Sequence, residues 1–289
     1  MNELLESFFN HLKLKKKSEN TITGYRSDLT SFVEYINSLN ISIKDIKVLH
    51  LENYLATIDC KESSMNRYIS SLQSFFRYLH ETLEIIDENP TYKIVRPEIP
   101  KREPIYMNEV EALSLLKSVT DEYKERNYAI LTIFLNCCLR LSELISIDIN
   151  KMDFENLTIT VIGKGNKERE VDMTPSCVTA INNYLKVRPD VEGENALFLS
   201  ERRQRISKRT VQSLVKKYIT KAGLDGKQYH THTLRHTGAT LIYKESKDLA
   251  GLQEILGHEN VSTTKIYTHI DKEHRKSVAN SNPLSNVFQ

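Results

Sequence analysis

The sequence predicts a mainly α-helical fold class with two domains, a helical bundle followed by an α+β domain that contains a small β-hairpin. Apolar residues recur at helical spacing through the first 85 residues. Four of the seven prolines lie between positions 90 and 104, and β-branched residues alternate from Leu157 to Ile162. We therefore expect a helical domain at 1–90, a proline-rich linker at 91–106 and a second domain at 107–289.

The first domain is predicted to be a small bundle of four helices. Ser18 is suited to cap one of them, and another begins near Ser63. Shorter helical patterns run from Leu4 to Leu12 and from Leu49 to Leu55. The two longer helices carry apolar stripes, which consist of Ile22, Tyr25, Leu29, Phe32, Val33 and Ile36 and of Ile69, Leu72, Phe75, Phe76 and Leu79.

The segment between the domains is predicted to be extended. Prolines stand at Pro90, Pro97, Pro100 and Pro104. Because proline lacks an amide donor and restricts the residue before it, neither a helix nor a central strand is expected here. A semi-rigid linker with a domain boundary near residue 100 fits this composition.

The second domain is predicted to begin with two helices. Asn108 is suited to cap a helix that carries Val110, Leu113 and Leu116, and a longer helix runs roughly over Asp121–Leu139. The strand Leu157–Ile162, a turn at Gly163–Lys167 and a strand at Glu170–Met173 predict a hairpin. The remaining helices are expected at Cys177–Val187, Lys208–Ala222, Leu234–Lys244, Ala250–Leu256 and Val261–Ile270.

Charge and cysteine usage limit the binding sites that the chain can carry. The net charge is only +2, so a nucleic-acid partner would require local basic clusters, such as those at Lys13–Lys17, Lys164–Arg169 and Lys208–Lys221. Each cluster by itself is more typical of a solvated surface. The 4 cysteines form no C-x-x-C pair, so free buried thiols are favoured over a zinc site.

No membrane partner is expected. The longest apolar run, near Ala129–Leu139, is too short to cross a bilayer, and the first residues lack the apolar core of a signal peptide. We therefore expect a cytoplasmic protein.

Several residues of the second domain could together cleave a DNA backbone without a metal. Such a reaction needs a side-chain nucleophile, fixed positive donors around the phosphate and an acid for the leaving oxygen. Candidate residues for these tasks are Arg140, Lys164, His232, Arg235, His258 and Tyr267. His232 and Arg235 are three residues apart, so both face the same way at the start of a helix.

Each candidate also has a purely structural interpretation. A lone arginine at a helix end is more often a capping charge, and a tyrosine at helical spacing is more often part of a core. His230, His232 and His236 raise the alternative of a metal cluster, which is disfavoured because no acidic cluster lies beside them. A nucleotide-binding loop at Gly163 is disfavoured because the Gly-Lys-Ser/Thr ending is missing.

The combination of motifs resembles the tyrosine recombinase or phage integrase family, in its Xer-like form. The matching motifs are Leu139-Arg-Leu-Ser-Glu-Leu144, Gly163-Lys-Gly-Asn-Lys-Glu-Arg169, His232-Thr-Leu-Arg-His236 and Leu256-Gly-His258 followed by Tyr267. They occur in the family's order and cover nearly the whole chain. The resemblance implies a SAM-like helical core-binding domain, joined to a catalytic domain so that the two clamp the duplex.

The resemblance implies a role for each site residue. Arg140 and Arg235 are expected to hold the phosphate, and Lys164 to protonate the leaving 5′-oxygen. His232 is expected to help activate the tyrosine, and His258 to donate to the phosphate. Tyr267 is expected to be the nucleophile that forms a 3′-phosphotyrosine. One departure is Cys138, which stands where the family often has a glycine.

The resemblance also implies the partners. They are duplex DNA with a specific core site, further copies or a second recombinase in a homo- or hetero-tetramer, and a DNA translocase as activator. No cofactor and no metal are expected. In the family a C-terminal segment docks into the neighbouring protomer, and the apolar end of 271–289 suits that role.

The biological purpose stays open between chromosome or plasmid dimer resolution and integration or excision of a mobile element. A compact chain without an arm-binding domain favours the Xer-like purpose. Three rival functions are a type IB-like topoisomerase, a non-enzymatic helix-turn-helix regulator and a structural helical protein. The regulator is disfavoured because it would need no catalytic set.

Overall fold

The computed structural model describes residues 1–99, 104–163, 167–257 and Thr264. The chain divides into two compact units, Met1–Arg102 and Glu103–Gln289. Helices dominate both units, and the second unit adds a small antiparallel sheet. The predicted fold class is thereby confirmed. No helix in the described ranges is long and apolar enough to cross a membrane.

The described residues of the first unit form four α-helices. Ser18 caps the second helix by accepting a hydrogen bond from the backbone of Thr21 (3.2 Å), as predicted. The predicted apolar stripes pack into one core, in which Phe8, Phe32 and Phe75 are almost completely buried. The helices are α1 (Asn2–Leu14), α2 (Glu19–Ser38), α3 (Val48–Ala56) and α4 (Glu62–Arg77).

The beginning of the proline-rich segment differs from the predicted linker. Pro90–Lys93 form a 3-10 turn, which Asn89 caps by accepting from the backbone of Thr91 (3.0 Å). Thr91 is fully buried and Ile94 packs against the core of the first unit. The reason is that proline fits the first position of a helical turn, where its missing N–H has no partner to lose.

The second unit surrounds a separate core with seven α-helices and three strands among its described residues. The sheet has the order β1-β2-β3, and both pairs are antiparallel. The helices are α5 (Glu109–Lys117), α6 (Lys124–Asn136), α7 (Leu141–Ile145), α8 (Pro175–Leu185), α9 (Lys208–Lys221), α10 (Thr231–Ser246) and α11 (Leu249–Leu256). The strands are β1 (Met152–Asp153), β2 (Thr158–Ile162) and β3 (Glu168–Asp172).

The predicted hairpin corresponds to β2 and β3, and β1 was not predicted because two residues carry no periodic signal. At its turn the backbone N–H of Gly163 donates to the carbonyl of Lys167 (2.8 Å). Residues 164–166, including Lys164, and the predicted helix Val261–Ile270 lie outside the described residues, apart from Thr264.

Helix α6 is shorter than the predicted Asp121–Leu139. It ends at Asn136 because Cys138 adopts a left-handed backbone conformation with φ 51°. At the other end, the carboxylate of Asp121 is bound by Lys217 and Tyr218 of α9 (both 2.5 Å) and stays outside the helix. Helix α5 begins after Asn108 as predicted. It buries Ala112 and Leu115, packs Leu116 partly against the core and leaves Val110 and Leu113 exposed.

Candidate active site

Arg140 lies where the chain leaves α6 and begins α7. Its backbone N–H donates to Oε2 of Glu143 (2.7 Å), and its guanidinium donates to Oε1 of the same carboxylate (2.8 Å). Glu143 thus closes the first turn of α7 and at the same time holds the Arg140 side chain. The Arg140 side chain remains 31% exposed, so it is accessible to a substrate.

Three guanidinium groups surround the carboxylate of Glu143, whose side chain is 1% exposed. Besides Arg140, they are Arg169 of β3 at 3.2 Å and Arg235 of α10 at 3.6 Å. Burial would raise the pKa of Glu143, but the backbone hydrogen bond from Arg140 and the charges of Arg169 and Arg140 outweigh burial and lower it. The carboxylate is therefore ionised, and the described cluster keeps an excess of positive charge.

Arg235 ties three segments together from a position that is 6% exposed. Its guanidinium donates to the carbonyl of Cys138 (2.5 Å) and to the carbonyl of Leu256 at the end of α11 (2.7 Å). Gly238, one turn further along α10, allows this geometry. A Cβ there would collide with the carbonyl of Leu135 and the Sγ of Cys138, so only glycine lets α10 approach α6 this closely.

His232 lies one helical turn before Arg235; the residue reaches solvent, but neighbouring groups partly desolvate its ring. The desolvation of its ring, followed by the positive charges of His230, Arg235 and Arg140, lowers its pKa. A lowered pKa favours the neutral imidazole, whose free nitrogen accepts a proton. His232 is thus suited to act as a base beside two arginines. His230 instead caps α10, accepting a hydrogen bond from the backbone of Thr233 (3.3 Å).

The structure brings together three of the six predicted site residues, Arg140, His232 and Arg235. The other three, Lys164, His258 and Tyr267, lie outside the described residues. By sequence, Lys164 follows directly after Gly163 at the end of β2, and His258 follows directly after Gly257 at the end of α11. Both glycines lie at the arginine cluster: a Cβ on Gly163 would be 3.9 Å from Oε1 of Glu143, and a Cβ on Gly257 would be 2.8 Å from Nε of Arg169.

Sequence reasoning missed two residues of this cluster, Glu143 and Arg169. Both lie inside motifs that had been recognised, but an acid in a helix turn and an arginine in a strand have no distinctive spacing. Their signal is partial: Glu143 is the third residue after Arg140, which is where an acid can cap a helix. Arg169 donates to the carbonyl of Ile255 (2.8 Å) and to Glu143.

The chemistry of the cluster suits an anion rather than a cation. Arginine presents planar N–H forks that match two oxygens of a phosphate and stays charged at any physiological pH. Within the ranges that the structure describes, no group of three or more His, Cys, Asp or Glu side chains is arranged to hold a metal ion. His230 and His232 lie with their rings 6.2 Å apart and nearly perpendicular.

Comparison with known proteins gives two family matches that together span most of the chain. The model of the phage integrase family matches residues 105–274, and that of the phage integrase N-terminal SAM-like domain matches residues 5–82. The first match alone covers more than half of the chain. Both agree with the resemblance inferred from the four motifs.

Individual relatives agree with the family matches. The chain is 42% identical to a tyrosine recombinase XerC from Caldanaerobacter subterraneus subsp. tengcongensis, over 98% of this chain and 87% of the relative. It is 32% identical to a tyrosine recombinase XerC from Alcanivorax borkumensis, over 96% and 92%.

Among solved structures, the chain is similar to the XerH site-specific recombinase bound to a palindromic difH substrate in a post-cleavage complex. The TM-score is 0.74 at 25% identity, over 90% of this chain and 79% of that chain. The sequence motifs, the arginine cluster around the buried Glu143 and these similarities agree. The chain therefore belongs to the phage integrase family and is a site-specific tyrosine recombinase of the Xer type.

Proposed function

We propose that the chain cleaves and rejoins duplex DNA at a specific core site through a covalent bond between Tyr267 and a backbone phosphate. The observation that carries this proposal is the buried Glu143 carboxylate, which holds Arg140 and Arg235 side by side at 2.8 Å and 3.6 Å. His232 stands one turn before Arg235 on the same helix. This set of donors fits the non-bridging oxygens of a phosphate diester.

In the proposed reaction the phenol oxygen of Tyr267 attacks phosphorus, and the bond from phosphorus to the 5′-oxygen breaks. His232 accepts the phenol proton, directly or through water, and Lys164 gives a proton to the departing 5′-oxygen. Because a free phenol has a pKa of about 10, its attack at neutral pH requires such a positively charged setting. Arg140, Arg235 and His258 stabilise the negative charge that develops on the phosphate oxygens.

The products of this step are a 3′-phosphotyrosine and a free 5′-hydroxyl. The phosphodiester is exchanged for another phosphodiester, so no bond energy is lost to water. Attack by a 5′-hydroxyl from the same or another duplex reverses the step and rejoins the strand. The reaction therefore needs neither ATP nor a metal ion.

The exposed face of helix α9 supports the proposal that the second unit contacts DNA. Ser207 caps it by accepting from the backbone of Thr210 (3.1 Å), and its inner face packs Val211 and Tyr218 into the core. Its outer face is exposed and mainly basic. Its exposed residues include Lys208, Arg209, Gln212 and Lys216. Basic residues repeated on one exposed helix face suit phosphate or groove contacts.

The first unit presents a second basic surface. A depression between α1 and α4 is lined by Lys15, Lys17 and Arg77 together with hydroxyl and amide side chains of α4. Arg96 crosses it and donates to Oε1 of Gln73 (2.5 Å). We infer that this surface contacts DNA phosphates. Replacing Lys15 and Lys17 by alanine should weaken DNA binding and flatten its salt dependence, by about 0.9 in the logarithmic slope per lost phosphate contact.

The proposed assembly is a tetramer on DNA, made of copies of this chain or of this chain with a second recombinase. Its proposed purpose is resolution of chromosome or plasmid dimers, with a DNA translocase as activator. If the C-terminal segment docks into a neighbouring protomer, deleting the residues after Asn280 will impair synapsis of two duplexes more than binding to one. Equal loss of both, or of neither, would contradict this assignment.

The central experiment is a suicide-substrate assay without divalent metal. Nicked duplexes that carry candidate core sites are incubated with the protein and with Tyr267→Phe, and adducts that resist denaturant are measured. An adduct formed only by the unmutated protein is expected. An adduct formed also by Tyr267→Phe would assign another nucleophile. Binding without any adduct would favour the regulator, and adducts on any supercoiled DNA would favour the topoisomerase.

A further inference from the structure

Arg169 joins two segments that are far apart in the chain. It lies on β3, where it pairs with Val161 of β2, and its side chain is 18% exposed. One branch of its guanidinium donates to the carbonyl of Ile255 near the end of α11 (2.8 Å). The other branch donates to Oε2 of Glu143 (3.2 Å). The hairpin, α7 and α11 are therefore held by one side chain.

The Arg169 side chain also lies close to Gly257. This glycine ends α11 with φ 59°, a left-handed conformation that disfavours other residues. A Cβ at position 257 would come within 2.8–3.0 Å of the Nε, Cδ and Cζ atoms of Arg169. Position 257 thus needs glycine for two independent reasons, and the second is the closeness of Arg169.

The position of Arg169 along the chain connects it with the leaving-group acid. Lys164 is five residues before Arg169 in the sequence, between the end of β2 and the start of β3. We propose that Arg169 is a positioning residue: by fixing β3 to Glu143 and to the end of α11, it holds the hairpin so that Lys164 meets the departing 5′-oxygen. This inference rests on the proposed function.

Only arginine can make this connection. Its planar fork reaches two acceptors that face it from different segments, whereas the ammonium of lysine is a compact donor at the end of a flexible chain. The Nε of Arg169 is buried without a hydrogen-bond partner among the described residues. A buried donor without a partner costs free energy. The two hydrogen bonds of Arg169 and its contact with Gly257 must offset this cost, and they hold the side chain in its orientation.

The test compares Arg169→Ala and Arg169→Lys with Arg188→Ala in the full-length protein. Arg188 is a matched control because it also cross-links backbone carbonyls, those of Glu194 (3.0 Å) and Ala196 (2.8 Å), in the same unit but outside the arginine cluster. At saturating nicked DNA, Arg169→Ala is expected to form the Tyr267 adduct about 100-fold more slowly, as for a misplaced catalytic group. Half-saturating DNA concentrations should stay within about threefold, as for a loss confined to the reacting step.

A second substrate isolates the acid. In it, sulfur replaces the bridging 5′-oxygen at the cleavage site. A thiol has a pKa of about 8.5, so the thiolate leaves without being protonated. If Arg169 acts through Lys164, Arg169→Ala should form the adduct on this substrate only about tenfold more slowly than the unmutated protein, or less, because general-acid catalysis is no longer required. Arg169→Lys keeps the positive charge and one donor nitrogen. On the oxygen substrate, its rate of adduct formation should lie between those of the unmutated protein and Arg169→Ala.

The outcomes separate this inference from the proposed function. If the unmutated protein forms no adduct on DNA that it binds, the proposed function fails and the role of Arg169 fails with it. If it forms the adduct but Arg169→Ala cleaves like Arg188→Ala, only the positioning role is overturned. An equal loss of cleavage rate by Arg169→Ala on the oxygen and sulfur substrates would also overturn the positioning role. If Arg169→Ala loses DNA binding through unfolding, the same comparison is made with Arg169→Lys.

Discussion

Within the part of the chain that the structure describes, each unit buries one carboxylate side chain, and the two carboxylates are compensated differently. In the first unit, Asp28 of α2 is 1% exposed and is bound by Arg67 and by the hydroxyl of Ser71 (2.6 Å), both from α4. In the second unit, Glu143 is equally buried but meets three arginines. One positive charge balances Asp28, whereas the environment of Glu143 is positive in excess.

This difference indicates that Asp28 belongs to a structural ion pair, whereas Glu143 belongs to a site that is preorganised for an anion. Burying a charge costs free energy that a partner must offset, and a single arginine with a hydroxyl is sufficient for Asp28. Holding three guanidiniums near one another also costs free energy, since they repel. A cluster of this kind is stabilised further when an anion arrives. We therefore expect substitutions around Glu143 to affect the reaction, and substitutions around Asp28 to affect only stability.

The largest effect is expected for Arg235→Ala. This substitution removes a proposed phosphate donor and also the bonds to the carbonyls of Cys138 and Leu256. Loss of one preorganised donor to a developing negative charge lowers a rate by about 100- to 1,000-fold. We expect adduct formation to fall by roughly 1,000-fold at saturating DNA, the upper end of that range. A decrease of less than about tenfold would contradict the phosphate-holding role.

A direct comparison of the two carboxylates is the next test. Glu143→Gln should lower the rate of adduct formation about 100-fold, because the arginines lose the charge that keeps them in place. Asp28→Asn should lower the free energy of unfolding by about 1–3 kcal/mol, as for a buried charged hydrogen bond, and leave the rate at saturating DNA unchanged. Similar rate losses in both variants would show that the contrast between the sites has no functional meaning.

The pH dependence of stability offers a smaller effect at Glu143. Its pKa is lowered in the folded protein, so it contributes stability that is fully present above its unfolded pKa of about 4.3. That contribution is lost as the pH falls through the folded pKa. Urea unfolding measured from about pH 7 down to about pH 3 should therefore show a shallower pH slope for Glu143→Gln than for the unmutated protein. Parallel slopes would mean that the arginines do not stabilise this charge.

The smallest effect is expected at Cys138, whose carbonyl accepts from Arg235. Burial raises the pKa of its thiol to about 12, so the side chain is neutral and packs against Tyr243 and Leu256. With φ 51°, alanine keeps the backbone strain while glycine relieves it. We expect Cys138→Gly to be more stable than Cys138→Ala by about 1 kcal/mol in thermal or urea unfolding. If Cys138→Ala were instead more stable than Cys138→Gly, the backbone strain assigned to position 138 would be contradicted.

Cys138 also shows where sequence interpretation fell short. The family often has a glycine at this position, where this chain has a cysteine. The structure gives the physical reason for glycine, since the chain must turn left-handed there to end α6 and begin α7. A side chain at positive φ leaves no periodic signal, so α6 was predicted to continue to Leu139.

The proline-rich segment and α5 show a second kind of shortfall. Local preference correctly predicted that Asn108 caps α5, because a cap depends only on neighbouring residues. It did not predict which face of α5 is buried, and Val110 is 75% exposed. Likewise, Ile94 packs on the first core although its surroundings suggested a linker. Burial depends on what approaches from elsewhere in the chain.

By itself, the sequence determined the helical character of both units, the hairpin, the family and the identity of the catalytic candidates, because these follow from local spacing and ordered motifs. Only the tertiary structure decided that Glu143 gathers Arg140, Arg169 and Arg235. These residues come from different elements, up to 95 positions apart in sequence. Their meeting depends on a long-range contact, the close packing of Gly238 against α6, which no local pattern encodes.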